Sequence, residues 1–184
     1  MDQDDSDLFP GWQSGDPAAF AVLVRRWQEP IARFLFHFVG QKEPVQDLCQ
    51  EVFLRAFLAA PRYRETGEFS AWLYRIALNV ARDRVRRIRL NVMPMTDLPG
   101  ADLSPRERCE QQETSAMVTR AIGELPESLR VVLILRHYEN VNFEQMARML
   151  GTPASTLKSR FAAALEQLRE RLRVLAPDNE ESKK

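Results

Sequence analysis

Apolar residues recur along this chain at intervals of three and four, the period of helices buried on one face. Phe20, Leu23, Val24 and Trp27 follow Asp16-Pro17, an acid placed to cap a helix and a proline suited to its first position. A second helix is expected to begin near Pro30, to hold Ile31, Phe34, Leu35 and Phe38, and to end at Gly40. Pro44 opens a third, whose stripe is Val45, Leu48, Cys49, Val52, Ala56 and Ala59; Pro61 stops it. After a polar loop, Ser70 caps a long helix to about Leu90, with Leu73, Ile76, Ala77 and Val80 as its core stripe.

Periodicity then lapses. Asn91 to Ser104 carries prolines, two aspartates and a glycine, the composition of a linker. Ser104-Pro105 starts a polar helix to about Gly123, and Pro126 starts another containing Leu129, Val132, Leu133 and Leu135. Asn142 with Gln145 reads as a capping box for a short helix ending at Gly151. Thr152-Pro153 launches the last helix, whose stripe is Leu157, Phe161, Leu165, Leu168, Leu172 and Leu175. The expected organisation is an acidic segment 1–15, a helical domain 16–90, a linker 91–110, a second helical domain 111–175 and a charged tail 176–184. With seven glycines in 184 residues and few alternating runs, the fold class is all-α, two small helical domains joined by a flexible linker.

At 45% hydrophobic and 28% charged residues the chain is globular rather than disordered. Its zero net charge hides segregation. Met1 to Ala60 has nine acids against five bases; Arg62 to Leu90 has eight arginines against three acids. Asn91 to Glu127 is again acidic, and Thr152 to Arg173 has five bases against two acids. Two basic segments spaced by acidic ones predict two contacts with a polyanion. Cys49 and Cys109 have no partner at metal-ligand or disulfide-framework spacing, which fits a reducing cytoplasm. The acidic start lacks an apolar signal core, and no run approaches the ~20 apolar residues of a membrane span, so no membrane insertion is expected. His37 and His137 are far apart, and no Ser/His/Asp set, glycine-rich phosphate loop or metal cluster suggests an enzyme or a cofactor.

Three faces carry candidate chemistry. Phe143 to Arg160 has the build of a helix-turn-helix, with small Ala147 four residues before Gly151. Its second helix offers Ala154, Ser155, Lys158, Ser159 and Arg160, with Thr152 and Thr156 beside them, small or polar groups suited to a major groove. On the helix from Pro44, Asp47, Gln50, Glu51, Phe53, Leu54 and Phe57 lie largely opposite the core stripe, a mixture that suits protein docking unless neighbouring helices cover Phe53 and Phe57. On the helix from Ser70, Trp72, Arg75, Asn79, Arg82 and Arg86 recur at spacings of 3, 4, 3 and 4. Arginines hold phosphates and an aromatic stacks on an exposed base; equally, Trp72 can seal the core edge and Arg86 can be a solvated charge near a helix C-terminus.

These residues also resemble a family. Asp47-Leu48-Cys49-Gln50-Glu51-Val52-Phe53-Leu54-Arg55-Ala56-Phe57 and Phe69-Ser70-Ala71-Trp72-Leu73-Tyr74-Arg75-Ile76-Ala77-Leu78-Asn79 resemble the second conserved region of bacterial sigma factors. Leu125-Pro126-Glu127-Ser128-Leu129-Arg130 and the helix-turn-helix after it resemble the fourth region, and the short linker fits the extracytoplasmic-function (ECF) group. The resemblance implies that Asp47, Gln50, Glu51, Phe53, Leu54 and Phe57 bind core RNA polymerase. It implies that Tyr63, Arg64, Phe69, Trp72, Arg75, Asn79, Arg82 and Arg86 capture the melted non-template strand of a minus-ten element. The helix from Pro153 would read a minus-thirty-five element of promoter DNA, and an anti-sigma factor would hold the protein inactive. One departure stands out: Phe161-Ala162-Ala163-Ala164-Leu165 occupies positions where family members often carry arginines, which puts contacts beyond Arg160 in question. A helix-turn-helix repressor acting without polymerase is the alternative; it predicts tight duplex binding by the protein alone.

Overall fold

The computed structural model describes residues 6–40, 44–64, 69–90 and 117–175. All regular elements among them are helices. A short 3-10 turn, Ser6–Leu8, leads into α1 (Phe9–Gln13). Then come α2 (Pro17–Val39), α3 (Val45–Ala59), a 3-10 turn Ala60–Arg62 and α4 (Phe69–Leu90). The second half holds α5 (117–123), α6 (Glu127–His137), α7 (Phe143–Leu150) and α8 (Ala154–Leu175). The expected linker 91–110 and the helix start at Ser104-Pro105 lie outside the described residues.

Helix α2 corrects the expected break at Pro30: one helix runs through it. Proline there removes a single backbone hydrogen bond. Leu23, Trp27, Ile31, Phe34, Leu35 and Phe38 stay in register on both sides of it and are all buried, so packing outweighs the lost bond. Asp16 caps the start, its Oδ1 accepting from the Ala18 N–H at 2.8 Å, and Gly40 ends the helix at φ 93°. Helices α2, α3 and α4 pack pairwise around this core, with Leu48, Val52 and Ala56 from α3 and Leu73, Ala77, Leu78 and Val80 from α4.

Helix α1 was not anticipated from the chain pattern. Five residues are too short for a periodic signal, yet Phe9 and Trp12 are buried. Gly11 is needed where α1 meets α2: a Cβ there would come within 3.0 Å of the Ala19 Cβ.

In the second half, Arg130 and five consecutive apolar residues, Val131 to Leu135, are buried, so α6 is covered all round. It packs on α8 and α7 and, from another side, on α2. Asn142 and Gln145 form the expected capping box on α7, at 3.2 and 2.8 Å. Gly151 takes the left-handed conformation, φ 62° and ψ 33°, that turns the chain into α8. The α8 stripe differs in one position: Leu165 is exposed and Ala164 is buried in its place.

The two halves touch. Both Arg33 and Tyr74 bond Glu139, the Arg130 guanidinium donates to the Phe38 carbonyl at 3.0 Å, and α4 packs on α7.

Candidate polymerase-docking and nucleic-acid faces

Helices α2 and α3 border an open apolar groove of about 810 Å3. Phe20 and Val24 form one wall, and Cys49, Phe53, Leu54 and Phe57 the other. Phe20 and Phe57 stand 5.1 Å apart. The six residues singled out on α3 divide in burial. Leu54 is 53% exposed and Phe57 39%, whereas Phe53 is 8% exposed and belongs to the core. Asp47 and Gln50 are exposed; Glu51 is half-buried and accepts a 2.7 Å bond from Arg55, which also reaches Asp83 at 3.3 Å. Leu58, 69% exposed, adds apolar surface that the sequence reading did not single out. The opposite wall was missed as well, because Phe20 and Val24 read simply as core positions of α2. Burial pushes the Cys49 thiol up to about 11, so it stays protonated and acts as a small apolar group.

The second face lies along α4. Arg75, Asn79, Arg82 and Arg86 are exposed on one line, and Trp72 is half-buried at its head. Tyr63 and Phe69, expected to meet nucleic acid, are instead buried in an aromatic cluster: their ring centroids lie 5.8 Å apart, with Trp72 at 4.8 Å from Tyr63 and 5.7 Å from Phe69. Both read as loop residues because the rings that cover them arrive from α1. Arg64 is exposed beside them. Arg86 bonds Asp83 at 3.0 Å, and Arg82 bonds Glu127 of the second half at 2.7 Å.

The third face is the start of α8. Ser155, Thr156, Lys158 and Ser159 are exposed, and Thr152, Ala154 and Arg160 are half-buried. Ser159 spends its hydroxyl on the Ser155 carbonyl at 3.1 Å, and Thr152 donates to the Leu150 carbonyl at 3.4 Å. Phe161 packs on Phe143, ring centroids 5.9 Å apart, and so belongs to the seam between α7 and α8.

The second and third faces look at each other. A cavity of about 340 Å3 is lined by Arg75, Asn79 and Arg82 from α4 and by Arg148, Thr152 and Arg160 from the helix-turn-helix. Among the described residues no group of three or more His, Cys, Asp or Glu is placed to hold a metal ion, and no helix is long and apolar enough to cross a membrane.

Comparisons with known proteins agree with this division. The family pattern described as sigma-70 region 2 matches residues 23–90, and that described as sigma-70, region 4 matches residues 115–173. The RNA polymerase sigma-H factor of Pseudomonas aeruginosa is 32% identical over 186 residues, covering 94% of this chain and 96% of its own. The ECF RNA polymerase sigma-E factor of Haemophilus influenzae is 29% identical, covering 93% and 96%. In fold, the chain is similar to CnrH solved in complex with the cytosolic domain of CnrY, with a TM-score of 0.72 at 24% identity over 94% of this chain and 99% of that one. It is also similar to RpoE solved with the anti-sigma factor NepR from Bartonella quintana, with a TM-score of 0.64 at 20% identity over 84% and 97%. The two family patterns lie on the two helical halves, and the P. aeruginosa relative aligns along nearly the whole length of both; the chain belongs to the sigma-70 family, as an extracytoplasmic-function sigma factor of bacterial RNA polymerase.

Proposed function

We propose that the groove between α2 and α3 docks core RNA polymerase, that the exposed line of α4 captures the melted non-template strand at the minus-ten element, and that the start of α8 reads the minus-thirty-five element. The observation that carries this reading is the α4 line. Trp72, Arg75, Asn79 and Arg82 combine a stacking ring, an amide and guanidinium groups on one side of a helix whose other side is core. Strand capture needs no nucleotide hydrolysis by this protein, because contacts to extruded bases offset the lost stacking, on the order of a few kcal/mol per base. In the groove, exposed Leu54 and Phe57 supply apolar contact and Gln50 a polar rim, while exposed Leu58 and Asp47 lie on α3 outside its lining. The same exposed apolar surface would accept a masking anti-sigma partner. The work would be done in the cytoplasm, on the chromosome.

The closed arrangement implies an opening step. Two promoter elements about 25 base pairs apart are separated by about 85 Å at 3.4 Å per step. Faces that line one 340 Å3 cavity cannot engage both elements at once. Docking on polymerase would therefore draw the two halves apart and break the Arg82–Glu127 pair.

Run-off transcription tests the reading, using core RNA polymerase with and without the purified protein on fragmented DNA from the source bacterium. Discrete transcripts seen only with the protein are expected, and their starts give the recognised sequence. Tight duplex binding by the protein alone, with no binding to core polymerase, would replace this reading with the repressor.

A further inference from the structure

The sigma-70 region 2 pattern begins at residue 23, so the arm formed by Ser6–Leu8 and α1 lies ahead of it. That arm nevertheless packs beneath the candidate strand-capture face. Phe9 stands 5.2 Å from Tyr63 and 5.1 Å from Phe69, ring centroid to centroid. Trp12, 1% exposed, stands 5.5 Å from Tyr63, 5.8 Å from Phe69 and 5.7 Å from Trp72. Gln13 donates from Nε2 to the Tyr63 carbonyl at 2.6 Å. Gly11 lets the arm seat tightly on α2.

Trp72 is a half-buried ring of this cluster, and the rings of Trp12, Tyr63 and Phe69 pack against it. A stacking side chain contributes to binding in proportion to how firmly its orientation is held before the base arrives. Tyr63 on one side and Trp12 on another confine Trp72, and both depend on the arm: Trp12 belongs to it, and Tyr63 is held through its ring by Phe9 and through its backbone by Gln13. The Trp12 indole N–H is buried with no hydrogen-bond partner among the described residues, so its ring, not its donor, is what the position uses.

We propose that Phe9, Trp12 and Gln13 are positioning residues for strand capture, building with the buried Tyr63 ring the floor that orients Trp72 toward an extruded base. The inference rests on the minus-ten reading of α4 above. It assigns a role in initiation to a segment outside both family patterns.

Trp12 also stacks on Phe20 of the docking groove, at 6.4 Å, so it is left unaltered in the test. Gln13→Glu keeps the shape and removes the donor; Phe9→Leu keeps apolar volume and removes the ring. Each variant is assembled with core polymerase. The probes are single-stranded non-template oligonucleotides spanning the minus-ten element of a promoter mapped by run-off transcription, either intact or abasic at one position in turn. The readout is the ratio of affinities, intact over abasic, at each position. Trp72→Ala serves as the reference. It is expected to flatten the ratio at the position its ring reads, by about tenfold, as for one stacked base. Both arm variants should lower the ratio at that same position several-fold and leave the others, and the affinity for core, within about twofold. A general loss of fold would move every position together, and a uniform fall in both arm variants overturns the proposal. If Phe9→Leu unfolds, Gln13→Glu decides alone, because its side chain is exposed. Full ratios in the arm variants beside a flattened Trp72→Ala overturn the proposal and leave strand capture standing. A full ratio in Trp72→Ala overturns both.

Discussion

Arg33 and Glu139 stand 106 positions apart in the chain and form a two-bond ion pair, Nε to Oε1 at 2.9 Å and Nη2 to Oε2 at 3.1 Å. The Tyr74 hydroxyl donates to the same carboxylate at 2.8 Å. Glu139 is 1% exposed in its side chain, so α2 and α4 of the first half close over a charge supplied by the second. Asn140, at φ 54°, turns the chain just after α6, in a conformation that asparagine adopts more readily than most residues. The hydrogen bonds that Arg33 donates to Glu139 raise its pKa further, while burial first and Glu139 second raise that of Tyr74, so both donors keep their protons.

Removing this carboxylate should loosen the closed form. Glu139→Ala leaves the Tyr74 hydroxyl buried without its acceptor and leaves Arg33 only its longer, solvent-exposed contact with Glu29 at 3.7 Å. Because Arg33 is partly solvated, the expected cost is about 1–3 kcal/mol, below that of a fully buried pair. Small-angle scattering should show a larger radius for the variant than for the parent. An unchanged radius would mean that other contacts between the halves suffice.

Acid should loosen the same contact through His37. Its ring stacks on Tyr138 with centroids 3.7 Å apart. Burial chiefly, then Arg33 and His137, lower its pKa to about 4. A histidine held below its unfolded value near 6.5 favours the folded state when neutral. This share of stability is complete above pH 6.5 and is lost as pH falls toward 4. Urea midpoints at pH 7 and pH 5 should differ less in His37→Gln than in the parent; equal differences would rule His37 out as a source.

Groove residues should separate into docking and folding roles. Leu54→Ser and Phe57→Ser are expected to weaken binding to core polymerase by roughly tenfold each with little change in melting temperature. Phe53→Ala should cost about 3–5 kcal/mol of stability, because its ring is core. Binding titrations beside thermal melts distinguish the two. A Leu54 variant that melts early but binds normally would contradict the assignment.

The turn of the helix-turn-helix depends on backbone, not space. A Cβ at Gly151 would meet nothing within 4 Å, yet φ is +62°. Gly151→Ala should therefore destabilise by about 1–2 kcal/mol, the cost of a left-handed residue with a side chain. A thermal melt unchanged from the parent would show that the turn relaxes.

Most of the helices and their capping signals were legible in the chain itself. Asp16, Gly40, the Asn142–Gln145 box and Gly151 act on backbone groups within a few residues, and periodic stripes report burial from within one helix. The motifs from Asp47 to Asn79 and from Leu125 onward likewise carried the family resemblance without any coordinates. What lies between elements is absent from such local signals. Pro30 reads as a break until the buried residues on both sides of it are seen to hold one helix together. Tyr63 and Phe69 read as loop aromatics until α1 covers them, and α1 is too short to announce itself. Glu139 reads as a surface acid until Arg33 and Tyr74 close on it from 106 and 65 positions away. Helix formation depends on contacts three and four residues apart, which the order of residues displays directly. The closed arrangement, the aromatic floor and the buried carboxylate depend on contacts whose partners only the packed chain brings together.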